Sequence, residues 1–201
     1  PNISNIVIRV YSDVGKLESA FRNGLLDAVF LPNDSRSNFV NEYASFTSHE
    51  LNLPYRQRNL FFNLRKEKLQ NDSLRKGLSL LIDKEKLLEQ SGINGEVATG
   101  PIYEESWAFS KDADYPSYNP EKAKEALEQG GYKKNEDNGY FETEDGKILT
   151  VTISYLDNEI NTQLLDTLAE LLEQEGVILN LEPLTYSQLT QEILATRNFE
   201  L

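Results

Sequence analysis

Tyr55-Arg-Gln-Arg-Asn-Leu-Phe-Phe-Asn-Leu-Arg65, and after a short charged link Leu74-Arg-Lys-Gly-Leu-Ser-Leu-Leu-Ile-Asp83-Lys-Glu-Lys-Leu-Leu88, is the stretch on which the fold turns. The first half is bounded by Pro54 and is aromatic at its centre, which predicts a strand. The second half places Leu74, Leu78, Leu81 and Ile82 at i, i+4, i+7 and i+8, the single apolar stripe of a helix. Asn71 or Asp72 is positioned to cap that helix, because a short side-chain oxygen accepts from the free amides of a first turn. Asp83 is positioned to cap a second helix with Leu87 and Leu88 on its apolar side.

Outward from this stretch, strands and helices alternate. Towards the N-terminus, Ile6–Tyr11 is rich in β-branched residues and reads as a strand. Ser12 or Asp13 starts a helix with Leu17, Ala20 and Phe21 on one face, and Asn23-Gly24 ends it. Asp27–Leu31 reads as a second strand, making a β-α-β unit. Pro32-Asn33-Asp34-Ser35 turns the chain, a short helix is expected over Arg36–Tyr43, and Phe46–Leu53 is open between strand and extended loop. Towards the C-terminus, Ser91–Lys111 has little period and four Gly/Pro positions, so a surface loop is expected, pinned by Trp107 and Phe109. Asn119 caps and Pro120 begins a helix with Ala123, Ala126 and Leu127 buried. Asn138-Gly139 and Asp145-Gly146 are turn signals. Leu149, Val151, Ile153 and Tyr155 alternate with polar residues in a strand. A helix over about 159–175 carries Ile160, Leu164, Leu168, Leu171 and Leu172, and Gly176 ends it. Val177, Leu179 and Leu181 form a strand. Thr185 and Gln188 have capping-box spacing ahead of a helix with Leu189, Ile193 and Leu194 inward, and 198–201 reads as the start of another strand. The class is α/β with a mixed sheet and flanking helices.

The chain has 201 residues, 39% hydrophobic, with a net charge of −13, no cysteine, no methionine and one histidine. Such a charge repels phosphate backbones and anionic lipid, so neither nucleic acid nor direct membrane insertion is expected. No disulfide, thiol nucleophile or thiolate metal site is available. A start at Pro1 without methionine leads us to expect a segment excised from a longer protein. His49 has no second histidine to form a metal pair or a base couple. The acidic run 135–145 fails the calcium-loop spacing, since the position five before Gly139 is Lys134 and that before Gly146 is Phe141. No Gly-x-Ser-x-Gly, phosphate-binding glycine loop or His-Glu-x-x-His is present, so no catalytic residue, metal site or cofactor is expected.

Binding geometry remains. In open α/β sheets ligands lie beyond the carboxyl ends of strands, here Asn33-Asp34 and the Gly100-Pro101 loop. A strand over 55–63 presents Gln57, Asn59, Phe61 and Asn63 to one face. Amides around one aromatic suit a peptide, whose backbone needs donors and acceptors. Asn33, Gln57, Asn59, Phe61 and Asn63 are thus the candidate ligand-binding residues. The competing reading has Asn63 holding a neighbouring loop and Phe61 in the core. Arg56 and Arg58 flank the same strand, where they meet either a ligand carboxylate or the abundant surface acids.

Phe61-Phe62-Asn63, Leu74-Arg75-Lys76, Ile82-Asp-Lys-Glu-Lys-Leu87, Phe21-Arg-Asn-Gly-Leu-Leu-Asp27, Gly100-Pro101-Ile102, and Tyr118-Asn-Pro-Glu-Lys-Ala-Lys124 through Gly130-Gly-Tyr132 together resemble the family 5 solute-binding proteins of ABC importers. The likeness runs over nearly the whole chain. It implies a periplasmic-binding-protein-like (type II) lobe, 1–201, taken from a two-lobe protein that traps its ligand by closing about a hinge. It implies no enzyme, but extracytoplasmic capture of oligopeptides, periplasmic or lipid-anchored as a lipoprotein, for delivery to ABC permease subunits. In peptide-binding relatives an aspartate beyond the segment matching Leu201 pairs with the peptide amino terminus. Nickel, a sugar or another small solute is the alternative ligand, and the ligand-sensing domain of a transcription regulator is the alternative role. The family usually has alanine where this chain has Gly77, a departure worth up to ~1 kcal/mol of helix propensity.

Overall fold

The computed structural model describes residues 3–31, 47, 49, 57–93, 95–112 and 115–201. The chain divides into two compact units, Pro1–Asn52 and Leu53–Leu201.

In the first unit, α1 spans Val14–Arg22. Asp13 caps it as expected, accepting from the Lys16 N–H at 2.8 Å, and Ala20 and Phe21 are its buried residues. The chain leaves the helix through Gly24, whose φ of 70° is left-handed. The expected strands over 6–11 and 27–31 are not formed among the described residues. Ile6, Val7, Ile8 and Val10 are all largely exposed, Val10 at 93%. A strand is held by a neighbouring ladder and by a layer over its apolar face, and the described part of this unit supplies neither to 6–11. The expected helix over 36–43 and the candidate residue Asn33 lie outside the described residues.

The described part of the second unit begins with 57–63 and then α2 (Glu67–Gln70), α3 (Asp72–Leu81) and α4 (Lys84–Ser91). Asn71 Oδ1 caps α3 at Leu74 N–H, 3.1 Å, and Asp83 Oδ1 caps α4 at Lys86 N–H, 3.0 Å. α5 (Pro120–Gln129) is capped by Asn119 and buries Ala123, Ala126 and Leu127 against α3. The short antiparallel pair β1 (Lys133–Lys134) and β2 (Phe141–Glu142) follows, with Phe141 buried. β3 (Thr150–Leu156) then runs parallel to β4 (Ile178–Leu184), joined by α6 (Glu159–Glu175). A parallel pair requires such a crossover, so the β-α-β unit expected near the N-terminus is found here instead.

β3 alternates buried and half-buried along its length. The helix α6 buries Leu165, Leu168, Leu171 and Leu172, one residue round from the expected Ile160 and Leu164, which are half-buried. The core joins Leu165, Leu168 and Leu172 to Leu69, Leu74, Leu78, Leu127, Phe141, Leu149 and Val177. The capping box closes as spaced: Gln188 Oε1 accepts from the Thr185 N–H at 3.0 Å, and Thr185 Oγ1 accepts from the Gln188 N–H at 3.3 Å. It opens a π-helix, Gln188–Leu194, not an α-helix. The wider turn swings the face round, and Leu194, expected inside, is 50% exposed.

The C-terminal residues lie along β3 on the side away from β4. Leu201 N–H donates to Thr152 O at 3.1 Å, and Ser154 N–H donates to Leu201 O at 3.1 Å, the alternation of a parallel ladder.

Candidate functional site

Residues 57–63 run extended without regular strand pairing. Their side chains nevertheless alternate. Leu60 and Phe62 pack onto the core, while Asn59 is exposed and Phe61 is 69% exposed. An aromatic ring left in solvent beside an amide is a ready apolar contact for a ligand. Gln57 is half-buried and Arg58 is exposed, so the alternation does not extend to them. Arg56 and Asn33 lie outside the described residues.

Asn63 breaks the alternation by turning inward, and it is only 7% exposed. Its Nδ2 donates to Arg197 O at 2.9 Å and Phe199 O at 2.7 Å. Its Oδ1 accepts from the Arg65 N–H at 3.1 Å, and its own N–H donates to Glu200 O at 2.8 Å. The structure therefore leaves Asn59 and Phe61 on an open edge, with Gln57 half-buried before them, and places Asn63 at its root.

A second concave region lies beside the Gly100-Pro101 loop, one of the two ligand positions expected, although its lining residues were not foreseen. The aperiodic loop after α4 folds back over that helix's first turn and encloses a groove of about 710 Å³, lined in part by Lys84, Glu85, Phe109, Lys111, Tyr115 and Tyr118. The Gly100-Pro101 loop forms its support. A Cβ on Gly100 would stand 2.3 Å from the Tyr115 ring, so a larger residue there displaces that ring. The signal available in the sequence was the density of aromatics in an otherwise polar loop. Phe109 lines the groove, but Trp107, expected to pin the loop to the core, is 98% exposed. The Ser106–Phe109 turn, closed by a Phe109 N–H to Ser106 O bond of 3.0 Å, takes Phe109 in and leaves Trp107 at the tip.

One groove residue is electrostatically marked. The Tyr118 hydroxyl donates to Glu175 Oε1 at 2.6 Å. That bond, burial, and the negative charges of Glu175 and Asp83 push its pKa up to about 12. Because the folded value lies above the unfolded one, the contribution is complete below pH ~10 and disappears as pH rises through about 12. We expect Glu175→Gln to bring one tyrosine back towards the ordinary range, read as phenolate absorbance appearing earlier in an alkaline titration. An unchanged titration would show that the bond is not made in solution.

Among the described residues no three His, Cys, Asp or Glu side chains gather as a metal set, and no helix is long and apolar enough to cross a membrane. His49 is exposed. In the acidic hairpin the Glu142 carboxylate is engaged by Asn135 Nδ2 at 2.9 Å and Asn138 Nδ2 at 2.6 Å, which hold its pKa below the usual range.

The comparisons with known proteins agree with this architecture. The family model for bacterial extracellular solute-binding proteins, family 5 (middle part), matches residues 1–201, and the chain belongs to that family. It is 28% identical over 137 residues to the oligopeptide-binding protein AppA of Bacillus subtilis, covering 66% of this chain and 25% of that protein. The structure of NikZ from Campylobacter jejuni in complex with Ni(L-His) is similar at 28% identity and a TM-score of 0.68, over 89% of this chain and 36% of that one. NikA from Brucella suis in complex with Fe(III)-EDTA shares the fold at a TM-score of 0.76 and 18% identity, over 96% of this chain and 39% of that one. The chain thus spans about a quarter to two fifths of the length of these relatives.

Proposed function

We propose that this chain is part of a non-catalytic capture protein of an ABC importer, which binds oligopeptides outside the cytoplasm and presents them to permease subunits. Residues 1–201 belong to one lobe of a two-lobe clamp, in a periplasmic or lipid-anchored protein. Gln57, Asn59 and Phe61 meet the ligand, Asn33 is a further contact on the same reading, and Asn63 supports them from the root of the edge.

The observation that carries this reading is the exposed Asn59–Phe61 edge, with Gln57 half-buried beside it. It offers amide donors and acceptors at the two-residue spacing of an extended peptide, beside a solvent-facing ring. The likeness to an oligopeptide-binding protein supports it. A nickel chelate is the second reading, favoured by the equal identity to a protein solved with Ni(L-His).

The test is calorimetry of a tri- to pentapeptide library and of Ni(L-His) against the full-length protein and against this chain alone. We expect peptide binding by the full-length protein and at least ten-fold weaker binding by the chain, since one wall leaves the peptide half solvated while the cost of immobilising it is nearly unchanged. Binding of Ni(L-His) without peptide binding would replace the first reading by the second. Equally tight peptide binding by both would place the whole site in this chain.

A further inference from the structure

The open edge and the C-terminal segment of the second unit are joined at one residue. Asn63 closes the 57–63 run, and every hydrogen bond from its side-chain nitrogen ends on a carbonyl more than 130 residues later, Arg197 O and Phe199 O. Its backbone N–H adds Glu200 O. Two lysines repeat the connection. Lys66 Nζ donates to Asn198 Oδ1 at 2.9 Å, and Lys68 Nζ meets both Thr150 O at 2.8 Å and the Glu200 carboxylate at 3.0 Å. Glu200 in turn accepts from the Thr152 N–H on β3 at 2.9 Å.

The segment held in this way is strained. Arg197 has φ +57°, the only positive φ at a non-glycine among the described residues. Such a backbone persists where its surroundings over-determine it. Here the π-helix ends just before it, with Arg197 N–H on Leu194 O at 3.2 Å, and the Asn63 amide fixes the carbonyl just after.

We propose that Asn63 is a positioning residue. It locks the ligand-facing run 57–61 to the strained 197–201 segment, so the affinity of the edge depends on a side chain that points away from it. This rests on the capture reading for its functional meaning, but the mechanical coupling stands on its own. Loss of the amide frees Arg197 from its left-handed state, lets 198–201 move off β3, and removes the fixed end of 57–61 together.

The test is hydrogen exchange by mass spectrometry on the ligand-free full-length protein, followed by peptide calorimetry. In Asn63→Ala we expect amides of both 57–61 and 198–201 to exchange about ten-fold faster or more, the factor that one unmade buried hydrogen bond supplies. Peptide affinity falls by a similar factor while the circular dichroism spectrum is kept. Lys66→Ala, which removes only an exposed contact, moves both segments in the same direction by less. Should Asn63→Ala fail to fold, Arg197→Gly is the second probe. It relieves the backbone strain without touching the edge, and slower exchange at 57–61 together with 198–201 there also supports the coupling. Phe61→Ala weakens binding with exchange at 198–201 unchanged, which separates contact from positioning. Faster exchange at 198–201 alone, or weaker binding by Asn63→Ala with both segments still protected, overturns the inference. If the wild-type protein binds no peptide, the capture reading fails, and the exchange at 57–61 still decides the coupling.

Discussion

Replacing Gly176 by alanine is expected to destabilise the second unit by ~3–5 kcal/mol. Gly176 ends α6 at φ +94°, where a side chain costs about 1–2 kcal/mol. The larger part is steric. A Cβ there would stand 2.3 Å from Gly139 O and 3.2 Å from Tyr140 Cα, both backbone atoms that no rotamer change can move. The Asn138-Gly139 turn is laid on the end of α6, and Phe141 N–H donates to Gly176 O at 2.9 Å. An added methyl must push β2 away and uncover Phe141. Asparagine, which tolerates the left-handed region but keeps the clash, should lose nearly as much as alanine. Urea denaturation followed by far-ultraviolet circular dichroism measures both, and a loss below about 1 kcal/mol for alanine would show that the turn does not press on the helix end.

Leu127→Ala is expected to lose about 2–5 kcal/mol, because Leu127 is 0% exposed at the crossing of α5 over α3. The informative experiment pairs it with Gly77→Ala. A Cβ on Gly77 would lie 2.6 Å from Leu127 Cγ and 2.7 Å from its Cδ2. Alanine at 77 alone gains up to ~1 kcal/mol of helix propensity but overpacks by about 1–3 kcal/mol, a net loss. With Leu127 shortened, the new methyl fills part of the cavity and the overlap is gone. The double variant should therefore be more stable than the sum of the two singles by about 1–3 kcal/mol. Additive losses, within about 0.5 kcal/mol, would mean that Leu127 turns aside freely.

The same position shows how far a sequence can be read. In the sequence, Gly77 is a weak point of a helix; in the structure it is the space Leu127 occupies. Features closed within a few residues were legible. Asn71, Asp83, Asn119 and the Thr185/Gln188 pair all cap where their spacing places them, since the donor and acceptor are three positions apart. The alternation of β3 was legible for the same reason. Features that depend on distant partners were not. Nothing in 6–11 distinguishes a strand that finds a neighbour from one that does not. Nothing around Trp107 says that a tight turn will carry Phe109 in and the indole out. Leu165 replaced Ile160 and Leu164 because the phase of α6 is set by what lies on either side of it. Of the candidate site, the alternation of Asn59 and Phe61 could be read from the strand period, whereas the inward turn of Asn63 is fixed by carbonyls at 197 and 199.

That last contact has a consequence for how the protein is made. The Asn63 N–H bonds to the carbonyl of Glu200, which leaves the ribosome 200 − 63 = 137 residues later. At ~5–20 residues per second the amide waits roughly 7–27 s for its acceptor. For most of that interval β3 itself has not been made, and Leu69 and Leu74 have only part of the core that will cover them. Leu201, a member of the same core, is the last residue of the segment, so the order of synthesis leaves those leucines without their full cover until the segment is complete.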